Sequence, residues 1–132
     1  MGKDEKGMTL ITVDLRSRTP IFEQIVQSVE ELVLRGMMKP DEQMPSVRAL
    51  SSELGINPNT IQKAYAELER RGVIYSAATR GSFVSSDTTA LREKSRADAL
   101  EKMREYMNDA KSKNIEKDEI LAIIEQIWGA KQ

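Results

Sequence analysis

Apolar residues recur at helical spacing in five stretches of this chain, and at alternating spacing in one short pair. Ile21, Ile25, Val29, Leu32 and Val33 form the first stripe, broadened by Phe22 and Val26. Thr19-Pro20 precedes it as a predicted cap and first helical residue, and Gly36 follows as its stop. Val47, Leu50 and Leu54 make a short second helix closed by Gly55. Asn57 then caps a third, with Pro58 at its first position, where a missing N–H costs nothing. Its buried side reads Ile61, Ala64, Tyr65 and Leu68, and Gly72 ends it. Val73 to Tyr75 and Ser82 to Val84 read as two strands around a turn at Ala77 to Gly81. Leu10, Ile11, Val13 and Leu15 predict a short extended segment ahead of the first helix.

Two further helices follow the Ser85-Ser86-Asp87 boundary. The first is expected from Thr89 to Lys111, with Leu91 near its start and Leu100, Met103, Met107 and Ala110 as its apolar line. Lys113-Asn114 breaks it. The second, Lys117 to Trp128, carries Ile120, Leu121, Ile123, Ile124, Ile127 and Trp128. Those six side chains wrap too much of a short helix for one preceding helix to cover. A second chain is therefore expected to bury part of them.

The central stretch is a helix, a tight turn and a sharply capped longer helix. This is a helix-turn-helix, and the strand pair after it is a wing with Arg80 and Gly81 at its tip. The outer face of the capped helix presents Pro58, Asn59, Gln62, Lys63 and Ala66, with no carboxylate before Glu67. The predicted fold is mainly α with a small β-wing. It divides into a flexible N-terminus (1–11), a winged helix-turn-helix domain (12–86) and a two-helix dimerisation tail (87–132). Residues 1–8, MGKDEKGM, are charged, small and expected to be disordered.

Composition narrows the chemistry. With 132 residues, 39% of them hydrophobic, the chain can build one modest core. Neither cysteine nor histidine is present, which excludes disulfides, thiolate catalysis, zinc-cysteine sites and the commonest general base. An enzyme is not expected, nor a cofactor or a metal. Glu116, Asp118 and Glu119 fall at a helix start, where carboxylates are favoured by the dipole. There is no membrane-length apolar run and no signal peptide, so a cytoplasmic protein is expected.

The net charge of −1 argues mildly against nucleic acid as a partner. Residues 19–85 hold seven basic and eight acidic side chains. Residues 57–82, however, place Lys63, Arg70, Arg71 and Arg80 against Glu67 and Glu69. A local excess of that size suits a sequence-selective regulator better than a nonspecific DNA coat.

The run MPSVRALSSELGINPNTIQKAYAELERRGVI, followed by RGSFV, resembles the GntR family of bacterial transcription regulators. Its pattern there is LPSVR, LA, LGVNPNTV, RAY, ELE and then a basic turn with G.FV. The Asn-Pro-Asn-Thr start and short tail resemble the YtrA-like subfamily, and the likeness spans about residues 12–85. It implies a double-stranded DNA operator, a homodimer and repression, typically of ABC-transporter operons. A small-molecule effector is left unknown: the tail is too short for a deep pocket of its own, while a cleft between protomers could hold one. A winged-helix module for protein interaction is the alternative. It would put acidic or apolar residues at 59, 62 and 63, which this sequence does not.

The expected DNA-binding residues are Arg48, Asn57, Pro58, Asn59, Thr60, Gln62, Lys63, Arg80 and Gly81. Arg48, at the PSVR position, either meets DNA or pairs with Glu42 or Glu53. Asn57 either caps or contacts DNA, and Asn59 can read adenine with its amide. Pro58 stands where many relatives carry a guanine-reading arginine, which implies a different operator. Arg80 suits a narrow groove. Arg70 and Arg71 read as helix-end charges. The expected dimer contacts are Leu100, Met103, Met107, Ile120, Ile123, Ile124, Ile127 and Trp128.

Overall fold

The computed structural model describes residues 10–129; the charged stretch 1–8 lies outside them. Helix α1 runs Ile21–Leu34, α2 Val47–Leu54 and α3 Pro58–Arg70. Strands β1 (Ile74–Ala77) and β2 (Gly81–Val84) follow, joined by one 3₁₀ turn at Ala78–Arg80. Helices α4 (Thr89–Ser112) and α5 (Lys117–Trp128) complete the described chain. No helix among the described residues is long and apolar enough to cross a membrane.

The chain divides into two compact units, the first ending at Arg92 and the second beginning at Glu93. In the first, α1 buries Ile25, Val26, Val29, Leu32 and Val33 against Ile61, Ala64, Tyr65 and Leu68 of α3. Leu50 of α2, Met38, Met44, Val73, Ile74 and Val84 close this core. Each large side chain buried there stabilises the fold by roughly 1.5–3 kcal/mol. Burial is what makes these amphipathic helices persist, because helices this short are marginal alone.

The wing strands run Ile74–Ala77 and Gly81–Val84, so Ala77 and Gly81, read as turn residues, pair within the sheet. Boundaries depart from the sequence reading elsewhere too. Pro20, extended at ψ 144°, is itself the cap of α1, and Thr19 supplies no side-chain bond to it. Ile11 is fully buried, so the head begins before residue 12. The segment around it is not a strand. It is held instead by the Gln24 amide, which accepts from the Asp14 N–H at 2.7 Å and donates to the carbonyls of Asp14 and Thr19. Leu15, counted in the same apolar run, is exposed. At the other end the first turn of α4 belongs to the head. Leu91 packs against the core, and the Arg92 guanidinium donates to the carbonyls of Leu34 (3.1 Å) and Val33 (3.4 Å). Those are terminal carbonyls of α1, which a cation satisfies both as donor and as charge.

The second unit pairs the rest of α4 with α5. Asn114, at φ 62°, makes the reversal between them. The Glu119 carboxylate accepts from the Glu116 N–H at 2.9 Å at the start of α5. The acidic residues there serve the helix start, and no group of metal-binding residues occurs among the described residues. Ile120 and Ile124 are half-buried within this unit, whereas Ile123, Ile127 and Trp128 are exposed. Leu100, Met103 and Met107 on α4 are exposed as well.

Candidate nucleic-acid interface

The turn between α2 and α3 is built from local bonds. The Ser46 hydroxyl accepts from the Ala49 N–H at 3.0 Å to start α2, and Gly55 ends it at φ 66°. The Ser51 hydroxyl donates to the Ile56 carbonyl, and the Ile56 N–H returns a bond to the Ser51 carbonyl at 3.2 Å. Tyr65, buried in α3, donates its hydroxyl to the Pro45 carbonyl at 2.7 Å. Burial raises its pKa, so it stays a neutral donor. The two helices are thereby locked at both the turn and the start of α2.

At the start of α3 the Asn57 side chain accepts from the Asn59 N–H at 2.8 Å, and Thr60 N–H reaches the Asn57 carbonyl at 3.0 Å. Pro58 has no N–H to offer. The backbone donors that would greet a phosphate are thus largely used internally, and Asn57 is a cap. Thr60 is half-buried, while Pro58, Asn59, Gln62 and Lys63 are exposed on one face.

The cations of α3 divide into two kinds. Arg70 and Arg71 both donate to the Glu67 carboxylate, the latter at 2.7 Å, and Arg71 also meets Glu30 at 3.3 Å. These hydrogen bonds, from Arg70 first and Arg71 next, hold Glu67 down from 4.5 to about 2. Lys63 has no carboxylate partner among the described residues, and neither do Arg48 nor Arg80. The local excess over residues 57–82 resides in Lys63 and Arg80, and Arg48 adds a third such cation from α2. Lys63 instead places its ammonium 4.0 Å from the centre of the Phe22 ring on α1.

The wing is a two-stranded antiparallel sheet with Tyr75 opposite Phe83 and Ala77 opposite Gly81. Tyr75 and Phe83 stack at 5.6 Å between ring centres. The connection 41–44 lies along β2: Val84 N–H donates to the Glu42 carbonyl and Met44 N–H to the Ser82 carbonyl, both at 2.8 Å. Gln43 donates from Nε2 to the Arg80 carbonyl at 3.1 Å. Gly81, at φ 110°, leaves room for it, since a Cβ there would stand 3.2 Å from Gln43 Nε2. Arg80 itself is exposed at the tip.

Asp41 follows Pro40 in the connection to α2 and takes the left-handed φ of 65° itself. Its carboxylate accepts from the hydroxyls of Ser86 (2.6 Å) and Tyr75 (2.8 Å), and these bonds lower its pKa. Phe22, Gln43 and Asp41 were not singled out as site residues from the sequence. Phe22 reads as ordinary core stripe, and Gln43 and Asp41 sit in a connection without periodicity.

A head of this shape, with an exposed polar α3 face and a pinned wing, defines a winged helix-turn-helix regulator. The family description "Bacterial regulatory proteins, gntR family" matches residues 21–84, and the chain belongs to the GntR family, in its YtrA-like branch. It is 40% identical over 119 residues to the HTH-type transcriptional repressor YtrA of Bacillus subtilis (strain 168), spanning 89% of this chain and 92% of that protein. A transcriptional regulator from Oenococcus oeni superposes with a TM-score of 0.78 at 25% identity, over 89% of this chain and 98% of the other. The AraR DNA-binding domain in complex with operator ORX1 superposes at 0.52, with 25% identity over 59% and 96%. These relatives are transcription regulators and not enzymes, and this chain is a transcription regulator carrying a DNA-binding helix-turn-helix.

Proposed function

We propose that two copies of this chain bind an inverted-repeat DNA operator and repress transcription in the cytoplasm, of an ABC-transporter operon by the YtrA-like resemblance. The observation that carries the reading is the outer face of α3. Asn59 and Gln62 are exposed with no hydrogen-bond partner for their side chains among the described residues, and Lys63 is exposed without a carboxylate beside it. Asn59 and Gln62 offer amides to base edges, Lys63 a charge to phosphates, and Arg48 and Arg80 flank them. The AraR DNA-binding domain, a structural relative of this head, forms a complex with an operator, which supports DNA as the partner.

A single recognition helix reads only about 3–4 base pairs, and each mismatch costs ~1–3 kcal/mol. Doubling the site through a two-fold dimer supplies the missing selectivity. The tail offers the means, because Ile123, Ile127 and Trp128 are 52%, 69% and 73% exposed. Three large apolar side chains left to water on one short helix are costly and fit a second copy. Selection of bound duplexes from a random pool tests both halves at once. A recovered inverted repeat supports the reading, and recovery of no preferred sequence overturns it.

A further inference from the structure

Lys63 and Phe22 come from different helices, yet the ammonium sits 4.0 Å from the ring centre. Phe22 lies in the first turn of α1, half-buried and packed against the core, so its ring is held from behind. Lys63 is exposed on the outer face of α3. A lysine side chain is long and rotamer-rich, and ordering it when a phosphate arrives costs free energy. A carboxylate could order it beforehand, as Glu67 orders Arg70 and Arg71, but would cancel the charge to be delivered. An aromatic face orders the ammonium and leaves its charge intact, and three N–H donors leave room for a phosphate on the far side.

We infer that Phe22 is a positioning residue of the DNA-binding surface, whose ring pre-orders the Lys63 ammonium for a backbone phosphate. The inference rests on the DNA-binding reading above and extends it to a residue of the support helix. Phe22 itself touches no base. It acts through Lys63, so its effect belongs to phosphate affinity and not to sequence preference.

The test is a double-mutant cycle with the full chain and a short mixed-sequence DNA duplex, which requires no operator. Phe22→Leu keeps an apolar side chain against the core and removes the ring. It is expected to weaken binding about three-fold per recognition helix, and about ten-fold where two helices engage one duplex. Phe22→Tyr keeps the ring and retains parental affinity. Phe22→Leu leaves the salt dependence as steep as in the parent, because Lys63 still reaches its phosphate, and it has no effect in a Lys63→Ala background. In free protein, the ring shifts the Lys63 ε-methylene protons upfield, and Phe22→Leu abolishes that shift. Unchanged or tighter binding by Phe22→Leu overturns the inference alone. So does a weakening that persists without Lys63, or the absence of the ring shift. A parent that binds no duplex at low salt overturns the DNA-binding reading together with it.

Discussion

Gln43 and Arg80 stand 37 positions apart, and the amide of the first donates to the main-chain carbonyl of the second at 3.1 Å. The bond leaves the Arg80 guanidinium untouched and fixes the backbone that carries it. Gln43→Ala is expected to destabilise the head by no more than about 1 kcal/mol, as befits one exposed hydrogen bond. It should nonetheless loosen the wing tip, seen as lower backbone order parameters at Thr79 to Gly81 and weaker DNA binding. Gly81→Ala strikes the same contact harder. It forces a side chain onto φ 110° and towards Gln43, at a cost of about 1–3 kcal/mol in a urea melt.

Asp41 and Glu67 set the acid limb of stability. Both carboxyls are held below their ordinary values, Asp41 by the hydroxyls of Ser86 and Tyr75, Glu67 to about 2 by Arg70 and Arg71. A group whose folded pKa is depressed contributes stability that is complete above its unfolded value. That stability drains away as pH falls through the folded value. The part of the head's stability that these two carboxyls contribute, small because both lie at the surface, should therefore be present down to about pH 4.5 and be lost progressively towards about pH 2. Asp41→Asn keeps an acceptor and tolerates the left-handed turn, yet cannot titrate, so its urea midpoint should fall less steeply across that window. Asp41→Ala, which strains the turn and removes both bonds, should be less stable at every pH.

Those two clusters show which parts of the molecule were legible beforehand. The helix-turn-helix was, because its determinants are local. Stripes at i, i+3 and i+4, Gly55 at φ 66° and the Asn57-Pro58 start all act within a turn of themselves. The exposed face of Asn59, Gln62 and Lys63 followed from the same periodicity. Contacts between distant segments left no such trace. Gln43 to Arg80, Arg92 to the end of α1 and Lys63 over Phe22 are set by tertiary packing, and each residue alone looks like ordinary surface or ordinary core. Ile11 was misjudged for a related reason, since a lone apolar segment with no strand partner carries no period to mark it as buried.

Lys63 and Asn59 should fail in different ways when removed. Lys63→Ala is expected to weaken binding to all duplexes and to lower the slope of log K against log salt by about 0.9 for each phosphate that the ammonium neutralises in the parent. Asn59→Ala should leave that slope alone and relax selectivity at one position of each half-site, by about 1–3 kcal/mol. Isotherms at several salt concentrations, on a selected duplex and a scrambled one, separate the two outcomes. If both variants behave like the parent, α3 presents a different face to DNA.

The tail prediction turns on which apolar residues its own unit already uses. Ile124 is half-buried there, so a charge at that position would disturb the α4–α5 hairpin as well as any interface. Ile127 is 69% exposed and lies near the end of α5, where its side chain contributes little to its own unit. Ile127→Asp therefore tests association without confounding it with folding. Sedimentation should show a monomer, and circular dichroism should show undiminished helix. The head would remain folded on its own core of α1, α2, α3 and the wing. Binding to an inverted repeat should collapse to that of one half-site, because engagement of the second half-site would no longer be intramolecular. A dimer that survives Ile127→Asp at micromolar concentration would assign association to some other surface.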